Sequence, residues 1–424
     1  MITTVTVGGV TLDPGMVLAE AQISHGRQSV GEPTAASVAT IRVEHRGAMP
    51  TWHGGDVLTV DHVTGRLFSG RVTDCTLEHG LDESGSYGTF IVTAAGGVAR
   101  LGLRVVGDEP FPQEPGSARA ERILQLAEVP YVIDGPADAE ILPRDVDAQP
   151  ALGLLEGLAA DTSAAVFDLP TGEVVYQSLS GRNRPVVPYM WSDFPPGDTW
   201  AGMDPTLSWA GAPPSIAEWP SPTSEFPVDL PGSVVLWGPQ WQSSEGTVIN
   251  HIRVGYGAAS GSDQATTELI DQASVDGHGR RYVYLGTQLA LLADAQARAQ
   301  KVISTQSQDR WALDDVDVQL DLLDETQYAA VMALTCGDHV VLHDLPSPSP
   351  ASDWPAIVEG WQYIETANAG TRLEQITLLL SDPLHSLAVM RWDEYPTLYT
   401  WAEHPTYLTW ADLTSPDMLT VGGP

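Results

Sequence analysis

Lysine is all but missing from this sequence. Lys301 is the only one among 20 basic residues, and the rest are arginine. That scarcity excludes a P-loop, which needs a Gly-Lys pair on the phosphates, and a Ser-x-x-Lys nucleophile. A Schiff-base lysine could only be Lys301, in a polar helical stretch. Cysteine is almost as scarce: Cys75 and Cys336 lie far apart and make neither a disulfide framework nor a zinc site. No apolar run approaches the ~20 residues that span a bilayer. Met1 to Pro14 lacks the basic-then-apolar order of a secretory signal, so a chain made in a cytoplasm is expected. The sequence has no HExxH, no Gly-x-Ser-x-Gly, no GxGxxG and no EF-hand loop. Of the 11 histidines, His251, His343 and His385 lie in or beside strands, where a satisfied structural role is the default.

Acid dominates what is present. The 55 Asp and Glu against 20 basic residues give a formal charge of -35 over 424 residues. Such a surface does not grip nucleic acid through its phosphates. It does not argue against a wall that nucleic acid slides past, because like charge prevents sticking. A length near three times roughly 150 residues implies two to four domains. Hydrophobic residues at 43% suffice for buried cores.

Residues 1–108 read as β. Val38 to Val43, Val57 to His62, Arg66 to Thr73 and Thr89 to Thr93 alternate between Gly-rich turns, the pattern of a small barrel or sandwich. Residues 109–184 read as a small α+β domain. Ser117 to Ala127 puts Ala120, Ile123, Leu124 and Ala127 on one helical face, and Gln149 to Ala160 does so with Leu152, Leu155 and Leu158. Ala164 to Leu179 is a hairpin turning at Leu169 to Gly172. Residues 185–231 are a Pro/Trp-rich insert with no period. Residues 232–385 read as a second β domain. It has strands at Ser233 to Trp237 and Val248 to Gly255, an exposed loop from Gly257 to Gly279, and a long helix, Thr287 to Thr305, whose apolar face is Leu292, Ala295, Ala299 and Val302. A Pro/Trp-rich strap, 386–424, ends the sequence.

The two β regions echo each other. Gly55-Asp56-Val57-Leu58 matches Gly337-Asp338-His339-Val340, each after an alternating strand (Val38 to Val43; Val316 to Leu322). Each is followed by a strand built round a glycine, Gly70 or Gly360, and by one strand more, Thr89 to Ala94 or Leu373 to Leu380. The second copy adds a short helix, Glu325 to Leu334, and a longer loop, Leu345 to Asp353. This ordered series points to a duplicated β-barrel rather than to a shared turn.

Gly70-Arg71-Val72-Thr73-Asp74, Val106 to Pro112, the Ala120 to Leu126 helix, Asp147 to Leu152, Trp237 to Trp241 and Asn250 to Gly257 occur in an order that resembles the minor tail proteins of long-tailed actinobacterial phages. The resemblance, to that family's baseplate or tail-hub proteins, covers roughly residues 35 to 385. It implies an α+β, mainly β chain carrying two tail-tube-like barrels, and a homotrimer whose six barrels adapt a six-fold tube to a three-fold tip. The implied partners are the distal tail or tube ring, other minor tail proteins and the tape measure protein, with DNA only in passage. The implied location is the virion tail tip. Duplication suits that symmetry, because three chains offer six equivalent surfaces only if each carries two. The Pro/Trp-rich segments are not part of the family's common pattern.

Trp191, Trp200 and Trp209 recur every nine residues, as do Trp392, Trp401 and Trp410, the latter with Tyr395, Tyr399 and Tyr407 between them. Prolines bar a continuous helix. Tryptophan gives large contact area with few rotors, which suits separate anchors on a partner surface. The plainer alternative is that the rings cover the protein's own surface; the strap is the stronger reading for Pro396 to Leu413, and for 185–231 the two readings are even. Asp315, Asp317 and Asp321 alternate with Val316, Val318 and Leu320, a solvated strand face or, more sharply, part of an acidic lumen wall. No spacing supports bound Ca²⁺. The expectation is a structural, non-enzymatic virion protein without a cofactor. A tail-tip cell-wall hydrolase would need a cleft with paired carboxylates or Zn²⁺, and a carbohydrate-binding adhesin would use the tryptophans as sugar platforms.

Overall fold

The computed structural model describes residues 1–12, 16–27, 34–45, 52–82, 85–107, 109–135, 139–144, 148–179, 228–231, 241–243, 245–258, 264–309, 311–343, 345, 349–350, 354–368 and 371–381. Twelve strands form one large sheet: β1 (Ile2–Val7), β2 (Val10–Thr11), β3 (Met16–Gly26), β4 (Val38–His45), β5 (Val57–His62), β6 (Gly65–Asp82), β7 (Gly85–Ala95), β8 (Val228–Pro231), β9 (Asp315–Gln319), β10 (His339–His343), β11 (Trp354–Asn368) and β12 (Thr371–Ser381). Their order is β8-β10-β11-β3-β4-β7-β6-β5-β1-β2, with β12 on the other edge of β11 and β9 beyond it. Alternation explains the strands: in β4, Ala39, Ile41 and Val43 are buried while Arg42 and Glu44 are exposed.

The sequence led us to expect two closed barrels. Among the described residues no closure is found; β3 instead hydrogen-bonds β4 on one side and β11 on the other, so the two β regions merge. One hydrophobic cluster follows the sheet across both halves, from Ile23, Ile41, Leu58 and Phe68 to Val340, Tyr363 and Leu378. Each such side chain, fully buried, contributes roughly 1.5–3 kcal/mol.

A second core lies beside the sheet. It is built on α1 (Gly97–Leu101), α2 (Gly116–Leu126), α3 (Ala151–Thr162) and the hairpin Ala165–Asp168/Val174–Gln177. The face expected of α2 is buried as Ala120, Ile123 and Leu124. This core also takes up residues that the sequence assigns to the second β domain. They are Ile252 and Val254 of the strand His251–Tyr256 and Ala295, Ala299, Val302 and Ile303 of a long helix. Gly257 to Gly279 is not a bare loop: it holds the strand Ala265–Ile270 and α4 (Gln272–His278), capped by the Asp271 side chain on Ser274 N–H. The long helix, α5 (Leu292–Gln306), starts later than expected and leaves Leu292 exposed, because Thr287 and Leu289 are held in extended chain by Gly255 and Ile141. The short helix of the second copy, α6 (Glu325–Met332), opens on a capping box between Asp324 and Gln327.

Candidate functional site

The repeated Gly-Asp turn is repeated in atoms. Gly55 N–H donates to Val72 O at 2.8 Å and Val72 N–H to Asp56 O at 2.8 Å; Gly337 N–H donates to Val358 O at 2.7 Å and Val358 N–H to Asp338 O at 2.8 Å. The aspartates close both turns alike, Asp56 Oδ2 accepting from His53 N–H at 2.8 Å and Asp338 Oδ2 from Thr335 N–H at 2.7 Å. Both glycines hold left-handed backbone, φ +93° at Gly55 and +96° at Gly337, which a Cβ would strain.

The agreement extends through the strands. β6 bulges between Val72 and Asp74 and β11 between Val358 and Gly360. Beyond the bulges Cys75 faces Val92 and Leu77 faces Phe90, just as Trp361 faces Leu378 and Tyr363 faces Ile376. Strand order is β4-β7-β6-β5 in one half and β9-β12-β11-β10 in the other. This register corrects one sequence equivalence. Gly70 is not the partner of Gly360; it aligns with Ala356, and Gly360 aligns with Asp74. Each glycine has its own cause: a Cβ on Gly360 would lie 2.5 Å from His25 O, and one on Gly70 2.4 Å from Ala95 O.

The outer face of this double sheet is acidic. Along β3, β4, β7, β9, β11, β12 and the far half of β6, the charged outward residues among those described are Glu20, Glu44, Asp74, Glu78, Asp315 and Asp317, against Arg42. Asp315 and Asp317 lie on the solvent side of β9, opposite buried Val316 and Val318. Asp317 accepts from Thr377 Oγ1 at 2.5 Å. Burial, then the charges of Asp317 and Asp314, push the Asp315 carboxyl above its usual range. Asp321 does not join them: β9 ends at Gln319, and Asp321 sits exposed in a one-turn 3-10 helix, Leu320–Leu322. The turn forms as Leu320 drops into the core. Trp191, Trp200, Trp209, Trp392, Trp401, Trp410, Tyr395, Tyr399 and Tyr407 lie outside the described residues.

Sequence reasoning missed a buried polar joint between the sheet and the second core. Ser37 Oγ donates to His25 Nδ1 at 2.6 Å, and His25 Nε2 donates to Leu67 O at 2.9 Å. Asp168 accepts from Ser37 N–H at 2.9 Å and Val98 N–H at 2.7 Å. Burial, against the Leu67 and Asp168 carbonyls that favour the charged ring, lowers His25 to about 4; burial, against the backbone donors, raises Asp168 to about 6. A Ser, a His and an Asp meet here, yet Ser37 is 1% exposed and His25 3%, so the arrangement is a staple between elements and not a nucleophile. A second polar cluster joins the two repeats. Ile2 N–H donates to Glu365 Oε2 at 2.7 Å and Tyr328 Oη lies 2.8 Å from His62 Nε2, while Tyr328 O–H donates to Glu374 Oε2 at 2.9 Å and Arg372 binds Glu365 at 2.6 Å. Among the described residues no three His, Cys, Asp or Glu side chains are grouped to hold a metal ion. No described helix is long and apolar enough to cross a membrane.

No protein-family model matches the chain, and no curated protein matches it. Solved structures do match. The 43 kDa tail protein of prophage MuSo2 from Shewanella oneidensis aligns at a TM-score of 0.58 and 12% identity, over 89% of this chain and 98% of that one. The tail protein from Neisseria meningitidis MC58 aligns at 0.57 and 11% identity, over 90% of this chain and 97% of its own. At these identities the likeness is one of fold, and it runs nearly end to end in both partners.

Proposed function

We propose that this chain is a structural protein of a phage tail, a homotrimeric hub that matches a six-fold tail tube to a three-fold tip. The observation that carries the reading is the duplicated module, with one turn, one bulge and one strand order built twice into a single chain. Three copies supply six such modules, the number a hexagonal tube requires. The end-to-end likeness of fold to two tail proteins supports the same reading.

The work of such a protein is mechanical and electrostatic. Backbone ladders and the shared core hold the two modules as one rigid body, and the acidic face lines a passage from which DNA is repelled. The buried Ser37, His25 and Asp168 serve cohesion, not catalysis. The aromatic segment 386–424 pins neighbouring chains or other tail proteins, with Trp401 and Trp410 as anchors. Immunogold labelling of phage particles tests the assignment: label at the distal end of the tail is expected, and absence of the chain from purified particles would contradict it.

A further inference from the structure

The two modules differ in one respect that their shared register makes visible. On β11, the edge away from β12 is covered by β3, with Gly360 opposite Gly26, Trp361 opposite His25, and Tyr363 opposite Ile23. The matching edge of β6, from Asp74 to Gly80, hydrogen-bonds to no strand among the described residues; β5 stops at Arg71. The side chains beneath the two edges differ accordingly. Trp361 and Tyr363 are 4% and 0% exposed, while Cys75 and Leu77 at the same places are only partly buried. A long open edge above half-buried apolar side chains is a template for another strand.

The complement lies on the same chain. β3 reaches β11 from its place beside β4, where Ile23 pairs with Ala39. The second module has a short counterpart: the strand Trp241–Ser243 runs antiparallel beside Trp311–Leu313, which leads into β9. Trp241 packs on the sheet's core as Ile23 does, and its partner Leu313 is buried as Ala39 is. Matched by burial, Trp241 takes the place of Ile23 and Ser243 that of His25; this strand is offset by one residue from the β9–β12 ladder, in which Ala39 corresponds to exposed Asp314 and Leu313 to Val38. Among the described residues this strand is paired on one side only.

We propose that the open edge of β6 takes the Trp241–Ser243 strand of a second copy of this chain, antiparallel, with Ser243 opposite Cys75 and Trp241 over Leu77. The contact between chains then repeats the contact that β3 makes within one. The two edges are different surfaces, so the contact is head-to-tail, and on the ring-forming reading above it closes the ring instead of propagating as a filament. Every step round that ring, within a chain or between chains, is the same strand addition. This inference rests on the ring-forming reading above and names the seam.

The test uses the full chain carrying Ser243→Cys, mildly oxidised, beside the same protein with Cys75→Ser added. Light scattering on the unoxidised samples gives the number of chains. The proposed seam yields covalently linked chains up to the closed oligomer, and Cys75→Ser abolishes them. A ring-sized oligomer that never cross-links overturns the seam and leaves the hub reading standing. A chain that is monomeric and never cross-links overturns both. Leu77→Arg gives a second readout: it is expected to dissociate the oligomer without changing the far-UV circular dichroism of the chain, and an unaffected oligomer would contradict the proposal.

Discussion

His25 carries its pH behaviour in its surroundings. Burial lowers its pKa from 6.5 to about 4, so between these values the unfolded chain binds a proton that the folded chain refuses. Stability that His25 supplies at neutral pH is therefore lost as pH falls through that window, by up to about 3 kcal/mol. Asp168 acts in the opposite sense. Raised from 3.8 to about 6, it keeps a proton in the folded state that the unfolded chain releases, so acid favours folding there. The two effects separate by difference: the stability gap between wild type and His25→Gln should narrow from pH 7 to pH 4 in urea titrations. A gap constant with pH would contradict the assignment. Glycine offers a sharper contrast. Gly9 and Gly26 hold nearly the same left-handed φ, +80° and +78°, but a Cβ meets nothing within 4 Å at Gly9 and lies 2.2 Å from Glu359 O at Gly26. Gly9→Ala should cost about 1 kcal/mol from backbone strain alone. Gly26→Ala should cost about 3 kcal/mol or more, since it forces β3 off β11. Equal losses in melting would mean that the β3–β11 crossing is not as tight as described.

At the scale of elements, the Gly-Asp turns are where sequence and structure agree best. A turn is local, so its chemistry is written in adjacent residues, and Gly55-Asp56 and Gly337-Asp338 could be matched by eye. Asp338 accepts from both Thr335 N–H and Thr335 Oγ1, whereas Asp56 accepts from His53 N–H. Asp338→Ala should therefore lose about 2 kcal/mol and Asp56→Ala about 1 kcal/mol in urea unfolding; no loss at either would remove the turns from the account of stability. Helix α2 was equally legible, because its buried face recurs at helical spacing; α3 was less so, since Leu154 joins Leu155 and Leu158 in the core while Leu152 is only partly buried. What was hidden is long-range. No local signal tells β3 to pair with a strand more than three hundred residues away, and that single pairing turns two expected barrels into one sheet. The Gly70–Gly360 match failed for the same reason: residue identity outweighed register, and register depends on the neighbouring strand. The placing of α5 failed because an apolar face does not name the core it joins. The joint of His25, Ser37 and Asp168 left no motif, since its three residues are scattered over three elements.

For the whole molecule, charge and symmetry are the governing quantities. A formal charge of -35, part of it on one sheet face, opposes compaction through self-repulsion. On the proposed hub reading, that face would line a passage for DNA. The proposed straps are tested at this scale too. Trp401→Ala combined with Trp410→Ala should leave folding intact and weaken association with the rest of the tail, measured by co-purification with particles. Retention at the wild-type level would show that these rings do not anchor. The central claim is that one chain holds two equivalent wall modules and that three chains close a ring of six. Electron-microscope class averages of the purified full chain test it most directly. The account predicts a three-fold ring with six near-identical lobes round an open pore; a single compact particle without a pore, or a ring whose lobes number other than twice its chains, would contradict it.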